Sequence, residues 1–158
     1  MISQLRTGVG IDAHQFGDAG PCLLAGLEWP GARRLVGHSD GDAAIHAICD
    51  ALLSATQMGD VGTVFGTDKP EWAGASGVKM LAYVNELLTA KNFSINNVSV
   101  VIVGNEPRIG VRRLEAQELL SQILSAPVSI SATTTDGMGF TGRGEGVSVT
   151  ATALVVAP

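Results

Sequence analysis

Aromatic side chains are scarce, 4% of the chain, so the core has to be built from the small aliphatics that make up most of its 46% hydrophobic content. Cysteine is scarcer still. Cys22 and Cys49 stand apart without Cys-x-x-Cys spacing, which argues against a disulfide or a thiolate metal site and for two buried free thiols. No apolar run approaches the roughly 20 residues of a membrane span. Lysine and arginine number 10 against 15 acidic residues, a net charge of −5, and the pairs Arg33-Arg34 and Arg112-Arg113 are too short to be phosphate-binding patches; a nucleic-acid partner is not expected. Residues 1–8 hold neither the apolar segment of a secretory signal nor an Arg- and Ser-rich presequence, so a cytoplasmic protein is expected. Repeats, low-complexity tracts and linkers are also missing. A chain of 158 residues buries roughly 68–70% of its unfolded surface, and a single domain over 1–158 is predicted.

Histidine is rare too, yet two of the three fall in the ten residues Gly37-His38-Ser39-Asp40-Gly41-Asp42-Ala43-Ala44-Ile45-His46. Ser39 and Asp40 are helix-capping types, and Ala44, Ile45, Ile48, Leu52 and Ala55 recur at helical spacing, so a helix is predicted to begin inside the motif. Asp42, His46 and Asp50, four residues apart, then share one face. His38, just before the helix, is placed where free N–H groups and the positive end of the dipole attract phosphate. Read alone, the stretch is equally a capped surface helix with an ordinary histidine. Earlier, residues 7–12 alternate as a strand would, with Val9 and Ile11 on one face and glycines that suggest close packing nearby. Asp12 and His14, two apart at the strand end, leave the same side of the chain. With His46 they make three ligands and leave a fourth position open, the pattern of a catalytic zinc site; the alternative is a loop aspartate beside a surface histidine.

Residues 15–37 read as turns around one short strand at 22–24, and 58–70 as an exposed glycine-rich loop in which Asp60 either stabilises a turn or orients a ligand hydroxyl. Apolar spacing predicts helices over 76–91 and 111–124. A nearly continuous apolar run at 98–103 predicts a central strand buried on both faces, and further strands are predicted at 128–133 and 147–156. The order β, α, α, β, α, β predicts an α/β fold of the α+β sandwich kind, a mixed sheet of about four main strands packed against three helices. Residues 132–146 are the other polar concentration. Their glycines expose backbone N–H groups, Thr133, Thr134, Thr135 and Arg143 suit phosphate oxygens, and Asp136 suits a hard cation such as Mg²⁺; a plain glycine-rich hairpin is the alternative.

Gly10-Ile11-Asp12-Ala13-His14, Gly37-His38-Ser39-Asp40-Gly41-Asp42 with His46, Gly59-Asp60-Val61-Gly62, Ala132-Thr133-Thr134-Thr135 and Gly142-Arg143-Gly144-Glu145-Gly146 occur in this order. Through them the chain resembles the 2-C-methyl-D-erythritol 2,4-cyclodiphosphate synthase family nearly end to end. The resemblance implies a homotrimer with active sites between subunits, zinc on Asp12, His14 and His46, and a second divalent cation, Mg²⁺ or Mn²⁺, on Asp136 of the segment from the adjacent subunit. It implies an intramolecular phosphoryl transfer on a cytidine diphosphate-linked substrate, in which a 2-phosphate attacks the β-phosphorus and CMP leaves. His38, Ser39 and Thr134 would hold phosphate oxygens, His38 and Thr134 as the catalytic pair, and Asp60 and Gly62 would touch the methylerythritol. Phe65, Asp68, Thr133, Thr135, Phe140 and Arg143 would complete substrate binding alongside Asp12, His14 and Asp136, with Pro107, Arg108 and Ile109 near the cytosine.

Several positions depart from the family pattern. Gly66-Thr67-Asp68-Lys69 stands where the family has Pro-Asp-Thr-Asp, so the carboxylate at position 67 is missing and Asp68 offers one from a shifted place. Asp136 is one methylene shorter than the usual glutamate, Gly137 replaces a lysine, and Arg108 replaces another. No zinc ligand is lost. On the residues alone, two other classes stay open: a metal-dependent phosphohydrolase, and a non-catalytic nucleotide-binding or trimeric interaction protein that would bind CDP without releasing CMP.

Overall fold

A computed structural model describes residues 4–158 of the protein. In chain order it comprises strand β1 (Leu5–Gln15), the ribbon β2 (Leu23–Leu24) and β3 (Leu27–Glu28), helix α1 (Ala43–Ala55), the short helix α2 (Val61–Phe65), α3 (Gly77–Ala90), β4 (Ser94–Val103), α4 (Arg113–Leu124), β5 (Val128–Thr133), the one-turn helix α5 (Gly139–Gly142) and β6 (Gly146–Val156). The main sheet has the order β1-β6-β4-β5, parallel between β4 and β5 and antiparallel elsewhere. The expected mixed four-stranded α+β fold is therefore present.

Alternation along the strands decides which face is covered. Val147, Val149, Ala151, Ala153 and Val155 of β6 and Val98, Val100 and Ile102 of β4 are buried beneath the helices. The other face carries Leu5, Val9, Ile11 and Val101, at 62%, 56%, 65% and 38% exposure. This corrects the expectation that residues 98–103 are buried on both faces: the helices cover one side only, and the apolar residues of the run's other side face outward.

The layer is thinnest where α1 crosses β1. Gly8 and Gly10 face the helix, and a Cβ on either would collide with backbone atoms of α1: Ala51 O and Ala55 N at Gly8, Ala47 O and Ala51 N at Gly10. Alanines on the helix and glycines on the strand thus let the two backbones touch. Asp12 and His14 continue the same strand face beyond Gly10, toward the end of α1 that carries His46.

Several local expectations are corrected. Residues 58–70 are not loop throughout, because Asp60 caps α2 by accepting from Thr63 N and Thr63 Oγ1, both at 2.7 Å, and Asp50 Oδ1 accepts from Val61 N at 2.7 Å. The short strand at 22–24 is one arm of a two-stranded ribbon, and 111–124 opens with a 3₁₀ turn, so α4 starts at Arg113. The glycine-rich segment contains α5 rather than a simple hairpin. Cys22 and Cys49 are buried free thiols, as expected, and burial pushes the Cys22 thiol up to about 11. Among the described residues, no helix is long and apolar enough to cross a membrane.

The helix–strand contact can be tested by adding one methyl group. Gly10→Ala should destabilise the protein by about 1–3 kcal/mol, since backbone on both sides has to move, each kcal/mol lowering Tm by about 2–4 °C. Gly110→Ala, whose new Cβ would meet nothing within 4 Å, is the control and should melt like the wild type. Equal melting of the two variants in calorimetry would contradict the close seating of α1.

Candidate active site

Three side chains converge where β1 meets α1. Asp12 Oδ2 lies 2.7 Å from His14 Nε2 and 3.1 Å from His46 Nδ1, and the two nitrogens are 3.2 Å apart. A tetrahedral ion with bonds of about 2.0–2.1 Å would separate its ligands by about 3.3 Å, so the donors are nearly in place. The outer nitrogens are also engaged: His14 Nδ1 is bonded to the Val36 carbonyl and His46 Nε2 to Ser39 Oγ at 2.8 Å. With a metal bound, a proton on each outer nitrogen would leave the inner lone pairs for the ion, the arrangement typical of metal-ligating histidines; without it, inner N–H groups donate to Asp12. Donor set, spacing and tautomers fit a divalent cation.

Electrostatics reflect the same packing. Burial raises the Asp12 carboxyl, but hydrogen bonds from His14 and His46 outweigh it and hold the group at about 2. Burial lowers His14, while its bonds to Asp12 and the Val36 carbonyl carry it above its ordinary value. Asp50 is pushed up, chiefly by burial.

The capping residues do not divide as the sequence suggested. Asp42, rather than Ser39 or Asp40, caps α1 by accepting from Ile45 N at 3.0 Å, and its carboxylate also takes Ala25 N and Gly26 N, which ties the β2–β3 turn to the helix start. It therefore turns away from the face shared by His46 and Asp50, and a carboxyl group already occupies the helix end expected to be open to phosphate. Asp40 accepts from Gly77 N at the start of α3, and Ser39 turns to His46.

A cleft of about 340 Å³ opens beside the three ligands. His38, Ser39, Asp50, Gly62 and Phe65 line it, together with Lys69, Trp72 and Met80, which sequence reasoning missed. Three of the seven aromatics meet at this wall, Phe65 edge-on to Trp72 at 4.6 Å and Trp72 tilted against Tyr83 at 4.9 Å, anchoring α2 to α3. Apolar spacing on α3 and the paired Phe65 and Trp72 were the available signals.

The remaining expected residues lie elsewhere in this chain. Asp60 is exposed at the α2 cap, hydrogen bonds from Thr63 lowering its pKa, and Asp68 is exposed outside the cleft lining. Thr133, the last residue of β5, and Thr134 and Asp136 just beyond it are exposed, with Thr134 Oγ1 donating to Asp136 Oδ1 at 3.3 Å and Thr135 Oγ1 bonded to Met138 O. Arg143 pairs with Glu145 at 2.7 Å, and Phe140 borders a second hollow that touches His14. Pro107 is half-buried, Arg108 exposed, and Ile109 in the core. Asp12 and Thr133 stand on opposite edge strands; at about 4.8 Å per strand the sheet separates these edges by about 14 Å.

The chain is similar to known proteins over nearly its whole length. The model of the YgbB family matches residues 5–156. The 2-C-methyl-D-erythritol 2,4-cyclodiphosphate synthase of Cutibacterium acnes is 56% identical over 153 residues, covering 96% of this chain and 91% of that protein. A solved structure of 2C-methyl-D-erythritol-2,4-cyclodiphosphate synthase in its CDP-bound form superposes with a TM-score of 0.87 at 31% identity, over 95% of this chain and 99% of that one. The bifunctional IspDF of Campylobacter jejuni superposes with a TM-score of 0.93 at 28% identity, over 99% of this chain, which spans 43% of that longer protein.

His46→Ala should abolish tight metal binding while leaving α1 folded, since its other contacts are aliphatic, and Ser39→Ala should weaken binding about 10–100-fold by releasing the outer nitrogen. Protons compete with the metal for His14, whose pKa is raised, so apparent affinity should fall with pH below that pKa by about tenfold per unit. Isothermal titration with zinc measures all three; stoichiometric tight zinc in His46→Ala, or a pH-independent affinity, would contradict the ligand set.

Proposed function

From its membership of the YgbB family, the family of 2-C-methyl-D-erythritol 2,4-cyclodiphosphate synthases, which the matched residues establish, we propose that this chain converts 4-diphosphocytidyl-2-C-methyl-D-erythritol 2-phosphate to 2-C-methyl-D-erythritol 2,4-cyclodiphosphate and CMP. An oxygen of the 2-phosphate forms a bond to the β-phosphorus, the bond from that phosphorus to the bridging oxygen breaks, and CMP leaves with that oxygen. No water is consumed. The observation that carries the reading is the convergence of Asp12, His14 and His46 on one point in a cleft large enough for a sugar phosphate.

Zinc on these three residues, when bound, would supply positive charge to the β-phosphate; a second cation, Mg²⁺ or Mn²⁺, belongs on Asp136. Ser39 accepts from His46 Nε2, which leaves its own O–H to donate to a phosphate oxygen. His38 at the cleft rim supplies a further donor, and Thr134 is its counterpart on the other phosphate. Asp60 and Gly62 hold the methylerythritol near Phe65 and Asp68, while Pro107, Arg108 and the backbone of Ile109, whose side chain is in the core, face the cytosine. Thr133, Thr135, Phe140 and Arg143 complete the phosphate side. The chain acts as one domain, in the cytoplasm.

The active unit is a homotrimer with sites between subunits. Two observations support it: Asp12 and Thr133 lie on opposite edge strands of one sheet, and Leu5, Val9, Ile11 and Val101 leave an apolar face for subunit contact.

Incubation of the purified chain with the substrate and zinc plus Mg²⁺ should give equimolar CMP and a cyclic diphosphate by phosphorus NMR; inorganic phosphate or a linear product would indicate a hydrolase. Asp136→Asn should spare zinc but raise the Mg²⁺ or Mn²⁺ concentration for half-maximal rate. An unchanged titration would refute the second-metal role. Mixing inactive His46→Ala and Thr134→Ala proteins under subunit exchange should restore part of the activity, whereas full wild-type activity in a sedimenting monomer would refute the shared site.

A further inference from the structure

Arg33 lies outside every motif described above, yet its guanidinium joins three distant segments. Nε donates to Glu106 Oε1 at 2.7 Å, Nη2 donates to the Gly144 carbonyl at 3.0 Å, and the group stacks over Phe16 with 4.3 Å from its central carbon to the ring centroid. Glu106 immediately precedes Pro107, Arg108 and Ile109, and Gly144 follows the turn that carries Arg143. A second link, Asn105 Nδ2 to the Gly142 carbonyl at 3.0 Å, joins the same two segments directly. Phe16 belongs to the same frame, since its N–H donates to Glu145 O at 2.9 Å just beyond the end of β1.

We infer that Arg33 is a positioning residue for the nucleobase end of the substrate, holding the 104–109 loop against the 142–145 turn in the conformation that receives cytosine. The inference rests on the cyclisation reading above and adds to it a residue that touches neither metal nor phosphate. The pair is half in solvent, with side-chain exposures of 51% for Arg33 and 36% for Glu106. Such pairs contribute little to global stability, so loss of Arg33 should register in alignment rather than in melting. A planar guanidinium with several donors can meet Glu106, the Gly144 carbonyl and the Phe16 ring together; a lysine ammonium reaches one oxygen at a time.

The test compares wild type, Arg33→Met, Arg33→Lys and Glu106→Gln. Arg33→Met keeps the stem over Phe16 and removes the charge. It should raise KM and the Kd for CDP about three- to tenfold, leave kcat within about twofold and zinc content unchanged, and barely move Tm. Arg33→Lys should recover part of the affinity, and Glu106→Gln should resemble Arg33→Met. Inhibition by inorganic pyrophosphate, which has no base, should be equal in all four proteins. Equal CDP affinity in wild type and Arg33→Met, a matched loss for pyrophosphate, or a parallel fall of Tm and kcat would overturn the role. A wild-type protein that binds no CDP would instead overturn the cyclisation reading on which it rests.

Discussion

The contact on which the site depends is backbone against backbone. Gly8 and Gly10 present no side chain to α1, and Ala47, Ala51 and Ala55 present little more, so the helix lies on the strand with nothing between them. Because strand residues alternate, the two positions after Gly10 on that face are Asp12 and His14. Because the helix runs back along the strand, its first turn brings His46 to them. A larger residue in the seam would lift the helix and open the triangle of donors, which differ from a tetrahedral edge by only a few tenths of an ångström. Large rings have no place in that seam, and three of the chain's aromatics, Phe65, Trp72 and Tyr83, pack together at the wall of the cleft instead.

The surrounding bonds fix orientation. Asp42 spends its carboxylate on three backbone N–H groups, locking the start of α1 to the β2–β3 turn. Asp40 reaches the start of α3, so the Gly37–Asp42 turn is tied to two helices, and Ser39 and the Val36 carbonyl hold the outer ring nitrogens. Three neighbouring polar residues, alike in sequence, thus do separate work: one ligates nothing and orients a histidine, one joins helices, one closes a cap. At the opposite edge of the sheet, Thr133 and Thr134 are exposed, while the Thr135 hydroxyl is bonded to Met138 O.

The convergence of Asp12, His14 and His46 is legible in the sequence because spacing sets direction: two residues along a strand keep one face, and one residue on a helix with an aliphatic opposite face has one way to point. The strand and helix order is legible for the same reason. What the sequence conceals depends on distant partners. Asp42 looks like a site residue until Ala25 and Gly26 are folded against it, and α2 looks like a glycine loop until Asp50 and Asp60 satisfy its first N–H groups. The 98–103 run looks buried on both faces because apolar residues do not state which face the helices cover. Arg33 carries no motif at all, since its significance arises only when Phe16, Glu106 and Gly144 meet around it.

We propose that Asp12, His14 and His46 hold a divalent cation beside the cleft. Anomalous diffraction at the zinc edge, on crystals grown with zinc and CDP, tests it most directly. The expected result is a single strong peak about 2.0–2.2 Å from Asp12 Oδ2, His14 Nε2 and His46 Nδ1, with a phosphate oxygen in the fourth position. A zinc-loaded crystal in which the peak lies elsewhere, while these three side chains remain bonded only to one another, would contradict it.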